Sequence, residues 1–560
     1  MSPDEYSLLC DRILVETMQY ITTDKMRRHN IDKSYIKSQD QIYISAATSH
    51  SPITIVYTPV GAGKSTLIAD RVNGLIRSGV PASNIAILSM NIAKAKQTEL
   101  EMPGVNCMTF SDFTHAIFTA NYPGYELSDE NSIVNTLKLY GSTPFRQTFL
   151  ERLSITNPQD KACLLTVFVN NHLDEVEAEL AAIHKIDYTL ESMICQNRIY
   201  QLANNPFHLD EILINGVQNM PLHTLCCILE YVSMYGCRLF ITGMPNETIY
   251  EFNMAYGKAM NMLSSYMNKI GVGVIRLPSV KMAPDIYNTL LQTDNTNISM
   301  SNVQAAHVTA KYLTDPTEML KQVLVTRSDY IDRKLTNHEQ ILVLARSKAE
   351  ISVIKSVVIN NFAQKYQNMS VIDLTGIQPP VFVWGKLLTK YYASLKATYP
   401  QGIDKIELCR RLWLILDNEI KNAASKHMRE IYQHSQTELG CLANSTWTQD
   451  DLAKKPVITR IQSIIDEESA KIQAYNQYVR NNVVLNLSSA DIIFSTIHSA
   501  TDIRCDNTVV YLKNYSDTVD ENLYRIALSR ANKSEYLIFV NSDNFDVPVQ
   551  YYLKHHLAQP

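Results

Sequence analysis

The stretch Ile53-Thr54-Ile55-Val56-Tyr57-Thr58-Pro59-Val60-Gly61-Ala62-Gly63-Lys64-Ser65-Thr66-Leu67-Ile68 decides how this chain is read. Ile53 to Tyr57 is an apolar, β-branched run that predicts a buried strand. Thr66 to Val72 predicts a helix. Strand, glycine-containing loop, Gly-Lys-Ser and helix in this order predict a phosphate-binding loop. Gly61, Ala62 and Gly63 would curl their backbone N–H groups around phosphate oxygens, since glycine leaves no Cβ in the way. The helix N-terminus adds its dipole and its unpaired donors. Lys64 would reach the terminal phosphates, and the Ser65 hydroxyl, followed by Thr66, would ligate Mg²⁺. The pattern's first glycine is Thr58 here. The plain alternative is a strand–turn–helix corner with a chance Gly-Lys-Ser.

Working outward, the same rhythm repeats. Asn84 to Ser89 predicts a second strand, Asn91 to Leu100 a helix, and Val105 to Phe110 a third strand running into a helix at Ser111. Alternating strands and helices predict a doubly wound parallel α/β sheet. Residues 1–50 carry Leu8, Leu9, Ile13, Leu14 and Met18 at helical spacing. The basic run Lys25-Met26-Arg27-Arg28-His29 reads as a solvated helix face, with phosphate contact the alternative. Residues 119–205 lose the rhythm and read as helical. Strands return at Glu211–Ile214, Arg238–Gly243 and Val272–Leu277. A second α/β core opens at Gln340–Ser347, is interrupted by a helical stretch over 376–487, and resumes with Asp491–Ala500, strand Thr508–Leu512, helix Asn522–Ala531 and strand Tyr536–Val540. Trp384, Trp413 and Trp447 in the interruption read as core.

These segments divide the chain into an N-terminal helical part (1–50), a first core (51–118 and 206–280), a helical insertion (119–205), a second core (281–375 and 488–548), a second insertion (376–487) and a tail (549–560). The length of 560 residues suits several domains, and 46% hydrophobic with 19% charged residues is a core-forming composition. The formal net charge of -5 excludes a global basic field, so any nucleic-acid groove must be local. The 10 cysteines form no CxxC pair and no Cys/His ligand spacing, which points to a reducing compartment. Cys226 and Cys227 read as core. Acidic residues within Met1–Met18 argue against a signal peptide, hence against secretion. Glu230 and Arg238 break the most apolar window, so no membrane span is expected.

The motifs in sequence order resemble those of superfamily 1 helicases of the UvrD/Rep kind. The resemblance rests on Gln41 upstream of the first strand, the glycine loop, Ile85–Ser89, Thr109-Phe110-Ser111, Asn215-Gly216-Val217-Gln218-Asn219, Met244–Phe252, Thr496-Ile497-His498 with Ala500, and Ala527-Leu528-Ser529-Arg530-Ala531. It implies two RecA-like cores with helical insertions, ATP or GTP and Mg²⁺ bound between them, and a nucleic-acid track. It implies that Gln41 reads a base edge, that Arg530 is an arginine finger, and that Arg346 or Lys281 is a further cation on the γ-phosphate. Phe252 would stack on a base, with Thr109, Thr496 and His498 along the strand.

The acidic box departs from the family. Asn215 stands where an aspartate would support Mg²⁺, and Gly216 where a glutamate would act on the attacking water. Gln218 is kept. Glu247 replaces the usual γ-phosphate-sensing glutamine, Asn253 the usual arginine, and Thr501-Asp502-Ile503-Arg504 the Lys-Gly-Leu-Glu run. Either hydrolysis is weak or the carboxylate comes from elsewhere, with Glu247 the candidate, also for Mg²⁺. Asp210-Glu211 lies at the wrong end of its strand.

Composition and diverged motifs look viral. Length and arrangement are similar to the NTPases that accompany the RNA polymerase inside cypovirus-like double-stranded RNA viruses. That resemblance implies single-stranded RNA, a viral RNA-dependent RNA polymerase and the capsid shell as partners, in the cytoplasm or a virion core. A non-enzymatic NTP-responsive scaffold and an active DNA or RNA helicase are the alternatives.

Overall fold

The computed structural model describes residues 3–128, 133–134, 137, 158–280, 299–300, 307–313, 328–375, 487–513 and 523–540, apart from single residues and pairs inside these spans such as 60–61, 252–253 and 502. The chain divides into two compact units. One holds residues 1–123, 192–377 and 480–560; the other holds 124–191 and 378–479.

The first unit opens with helices α1 (Pro3–Gln19) and α2 (Gln41–Ala47). Strand β1 (Ile53–Tyr57) leads into α3 (Lys64–Arg77), β2 (Ile85–Ser89) into α4 (Ile92–Glu101), and β3 (Asn106–Thr109) into α5 (Phe110–Asn121). In the second unit the short strands β4 (Glu126–Leu127) and β5 (Lys185–Ile186) pair, beside helices Pro158–Asn171 and Leu173–Ile183. The chain then adds β6 (Glu211–Asn215), helix Leu222–Tyr235, β7 (Arg238–Gly243) and β8 (Val274–Arg276) to the first sheet. Its order is β3-β2-β6-β7-β1-β8, parallel throughout. A short parallel pair, β9 (Ser279–Val280) and β10 (Ser299–Met300), follows.

Six more strands make a second parallel sheet: β11 (His307–Leu313), β12 (Ile341–Ala345), β13 (Val371–Asp373), β14 (Ile492–Thr496), β15 (Cys505–Lys513) and β16 (Ala531–Val540). Their order is β11-β16-β15-β12-β14-β13. The chain is therefore α/β with parallel sheets, as the alternation of elements predicts.

Strands β1, β2, β6 and β7 are buried along their whole length, because helices cover both faces of the sheet. On one face Leu67, Ile68, Val72 and Leu75 of α3 pack on Val56, Ile87, Leu213 and Phe240. Helix Leu222–Tyr235, buried from Leu222 to Ser233, packs with α1 and α5. The second sheet is built the same way, with Ile351, Ile354 and Val358 of helix Lys348–Phe362 packed on Ile341, Val343, Ile492 and Phe494.

The N-terminal part differs from the expectation of continuous helix. Residues between α1 and α2 form no helix. The Lys25–His29 run is not a helix face, and two of its residues are tied to the sheet. Arg27 pairs with Asp210 and donates its backbone N–H to the Gly236 carbonyl at 2.8 Å. The His29 carbonyl accepts from Arg238 Nη1 at 3.1 Å. Gly236, at φ 69, is needed here, because a Cβ on it would lie 2.8 Å from the Lys25 carbonyl oxygen. Beneath this strap a fully buried triad closes the amino end of the sheet. Glu211 is held between Arg71 and Arg238; Arg71 Nη1 also donates to the Ala47 and Ser49 carbonyls, and Arg238 Nη2 to the Ser49 carbonyl. Asp210 and Glu211 thus lie at the end of β6 opposite Asn215.

Strands β11 and β13 were not expected, and β15 and β16 are longer than their apolar cores suggested. β11 and β13 are the edges of their sheet, where a strand is covered on fewer sides and its sequence carries less apolar signal. The expected insertion over 376–486, with Trp384, Trp413 and Trp447, and the tail 549–560 lie outside the described residues.

Candidate functional site

Parallel sheets offer their ligand sites at the carboxyl ends of the strands. At that end of β1, β6 and β7 lies a cavity of about 320 Å³. The loop after β1 is tied to its neighbours: the Thr58 N–H donates to the Gly243 carbonyl at 2.9 Å, and the Ala62 N–H to the Pro59 carbonyl at 3.0 Å. Gly63 takes a left-handed conformation, φ 82, and α3 begins at the next residue. That bend turns Lys64, Ser65 and Thr66 of the first helical turn into the cavity lining, together with Thr58. Ala62 is buried in the apolar core beneath the loop instead. Gly61 lies outside the described residues.

The opposite wall is the segment after β6. Asn215 and Gln218 line it, and both are almost fully buried. Gly216 is left-handed, φ 85, and a Cβ on it would lie 3.6 Å from Lys64 Nζ. Residue 216 thus offers only glycine backbone, with the Lys64 ammonium beside it. The rest of the box is a brace. Gln218 Oε1 accepts from the Met244 N–H at 3.3 Å, and Asn219 Oδ1 from the Ile249 N–H at 3.3 Å. Gly243 permits this, since a Cβ there would come within 2.5 Å of Gln218 Oε1.

Two buried oxygens on these walls, Thr58 Oγ1 and Asn215 Oδ1, have no hydrogen-bond partner among the described residues. Ser89 Oγ, on the residue paired with Asn215 across the sheet, is in the same condition. Leaving such a group unsatisfied costs about 1–3 kcal/mol, and these three sit at the carboxyl ends of β1, β2 and β6.

The remaining wall comes from the second sheet's side. Thr501 follows β14, Arg504 precedes β15, and Ile526 and Arg530 precede β16. Arg530 is buried, with Nε donating to the Ile526 carbonyl at 3.0 Å and Nη1 to the Thr501 carbonyl. Across from them Glu247 ends the 3₁₀ turn Pro245–Glu247 and is 9% exposed. Desolvation in the cleft lowers the Arg504 pKa, and the Glu247 carboxylate opposes that shift. Tyr250 ties the two sides together. Its hydroxyl donates to the His498 carbonyl and stands 3.5 Å from Thr501 Oγ1, with its ring edge-on to the His498 imidazole.

No protein-family model and no curated protein matches this chain.

The cavity thus brings together Thr58, Gly63, Lys64, Ser65, Thr66, Asn215, Gln218, Glu247 and Arg530 of the residues expected from sequence. Others lie elsewhere. Gln41 is exposed on the first residue of α2 and does not line the cavity. Arg346 does not line it either. The Thr109 hydroxyl caps α5 in a capping box with Asp112, accepting from the Asp112 N–H, and does not line the cavity. Thr496 Oγ1 is engaged with Ser499. Phe252 and Lys281 lie outside the described residues. Arg504 and Tyr250 were missed. A signal for Arg504 was in the sequence: under the resemblance to superfamily 1 helicases it replaces the final glutamate of the Lys-Gly-Leu-Glu run.

Among the described residues no group of three or more His, Cys, Asp or Glu could hold a metal ion. Side-chain oxygens lining the cavity belong to Thr58, Ser65, Thr66, Asn215, Gln218, Asn219, Glu247 and Thr501.

Proposed function

We propose that this chain is a helicase-like NTP-binding protein with two RecA-like cores, taking Mg²⁺ with ATP or GTP in the cavity between the glycine loop and the second sheet. The observation that carries the reading is the convergence of Lys64, Arg504 and Arg530 on one cavity whose only other charged lining residue, among the described residues, is Glu247. Three cations against one carboxylate match a magnesium-bearing polyphosphate in sign. The unpartnered oxygens of Thr58 and Asn215 supply polar contacts beside it. In this reading Lys64 and the first turn of α3 hold the phosphates. Arg530, locked by two backbone carbonyls, acts as the arginine finger, a contribution of about 10³–10⁵ in rate. Ser65, Asn215 and Glu247 hold Mg²⁺ with water between them, and Glu247 orients the attacking water. Arg346 and Lys281 are further cations of the second core. RNA, single-stranded, runs past Thr109, Phe252, Thr496 and His498, and a viral RNA polymerase is the partner.

One observation favours a second reading, a nucleotide-responsive scaffold. Asn215 and Gly216 offer neither charge nor base at the acidic box, so binding without turnover would still shift the angle between the two cores. Titration of ATP and GTP with Mg²⁺, followed by an NTPase assay of wild type and Lys64→Ala, decides. Binding and turnover lost together in Lys64→Ala support the enzyme, and binding without turnover supports the scaffold. Absence of binding with either nucleotide overturns both.

A further inference from the structure

Tyr250 closes a chain of hydrogen bonds that leaves the cavity on one wall and returns to it on another. The chain starts at Asn219, a lining residue, whose Oδ1 accepts the Ile249 N–H at 3.3 Å. The next residue is Tyr250, whose own carbonyl accepts the Ala255 N–H at 3.2 Å. Its side chain is buried and its hydroxyl donates to the His498 carbonyl, in the turn after β14. That carbonyl also accepts the Thr501 hydroxyl at 3.2 Å, and the Tyr250 oxygen stands 3.5 Å from Thr501 Oγ1. The Thr501 carbonyl then accepts from Arg530 Nη1, while the Ile526 carbonyl accepts from Arg530 Nε at 3.0 Å. Arg530 is again a lining residue. A guanidinium is a rigid planar fork, so two nitrogens held by two carbonyls fix its plane. One of those carbonyls belongs to the turn that Tyr250 holds.

We propose that Tyr250 is a positioning residue for Arg530: by holding the 498–501 turn from the first sheet, it sets the plane in which the guanidinium meets the terminal phosphate of a bound triphosphate. Tyr250 does not itself line the cavity, so it acts through Thr501. Loss of its hydroxyl keeps the ring in place, frees one side of the turn and lets the Thr501 carbonyl shift under Arg530. A diphosphate lacks the group that Arg530 meets and is indifferent to that shift. This inference rests on the nucleotide reading above and adds to it a residue that touches no nucleotide.

The test is a double-mutant cycle on the full chain, read as affinity for a fluorescent ATP analogue and the matching ADP analogue with Mg²⁺. Proteins are wild type, Lys64→Ala, Arg530→Gln, Tyr250→Phe and the Tyr250→Phe/Arg530→Gln double variant, each checked by thermal unfolding. Arg530→Gln should weaken ATP by about tenfold or more, as for one charge-assisted contact. Tyr250→Phe should weaken ATP between about twofold and tenfold, the range for one hydrogen bond, with ADP affinity unchanged. That loss should disappear when Arg530 is already glutamine. A general loosening of the fold would weaken ATP and ADP alike and in both backgrounds, so equal losses overturn the proposal. Unchanged ATP affinity in Arg530→Gln or in Tyr250→Phe, while Lys64→Ala abolishes binding, removes this proposal and leaves the nucleotide reading standing. A wild type that binds neither nucleotide removes both.

Discussion

Restoring the missing acidic residue should not restore an active site. Gly216 sits at φ 85, and the position its Cβ would take is 3.6 Å from Lys64 Nζ. Gly216→Glu therefore meets two effects. A non-glycine residue in the left-handed region costs about 1–2 kcal/mol. Its carboxylate also pairs with the Lys64 ammonium, worth roughly 4 kcal/mol at 4 Å and an effective dielectric of 20. Solvent reaches Lys64, so that figure falls to about 1 kcal/mol. The two nearly cancel in stability, but they do not cancel in binding. A phosphate must now break the new ion pair, and about 1 kcal/mol of competition weakens nucleotide affinity by roughly fivefold. Gly216→Ala isolates the backbone strain: it lowers stability without supplying a competitor for Lys64. The assay is a fluorescent-nucleotide titration with Mg²⁺ beside thermal unfolding of the three proteins. If Gly216→Glu binds nucleotide more tightly and turns it over faster than wild type, the placement of Lys64 against residue 216 is wrong.

Four further outcomes are expected. Gly243→Ala drives a methyl group to within 2.5 Å of Gln218 Oε1 and breaks its bond to the Met244 N–H, so stability falls by about 2–4 kcal/mol and the thermal midpoint drops. Glu211→Gln leaves Arg71 and Arg238 buried without their counter-ion and costs about 3–5 kcal/mol, read as a lower denaturation midpoint with no change in the residues of the cavity. Tyr250→Phe removes the hydroxyl bond to His498 and lowers stability by about 0.5–1.5 kcal/mol; limited proteolysis should find the 498–504 segment more exposed. Burial raises the Glu230 pKa to about 8, against a partial lowering by a hydrogen bond from Gln196. The folded state then holds a proton that the unfolded state has lost, so stability is fully present below about pH 4.5 and declines as pH rises through 8. Glu230→Gln should flatten that decline, measured as thermal midpoints between pH 5 and pH 9.

Much of the fold was legible because its signals are local. Each central strand is a run of aliphatic residues that must be buried on two faces, and Ile53–Tyr57, Ile85–Ser89 and Ile341–Ala345 announce themselves for that reason. The edge strands β11 and β13 did not, since an edge is covered on fewer sides. Lys25–His29 was misread because its role is a tertiary one: a strap is defined by what it crosses, here the Gly236 turn and the amino ends of β6 and β7. The Thr109 hydroxyl, read as a phosphate contact, also accepts from the Asp112 N–H as the cap of α5, a role set by where the helix begins.

The sequence by itself determined the glycine loop, its lysine and serine, the parallel α/β class and the absence of charge at Asn215 and Gly216, because spacing and residue chemistry carry those facts without a partner. Only the tertiary structure decided which distant groups share the cavity. Glu247 and Arg504 are 257 positions apart in the chain, and no periodicity links them. The folding of the two sheets and the grip of Tyr250 on His498 bring them to one cavity. Tertiary structure likewise put Lys64 beside Gly216, since that contact depends on β1 and β6 ending at the same side of one sheet.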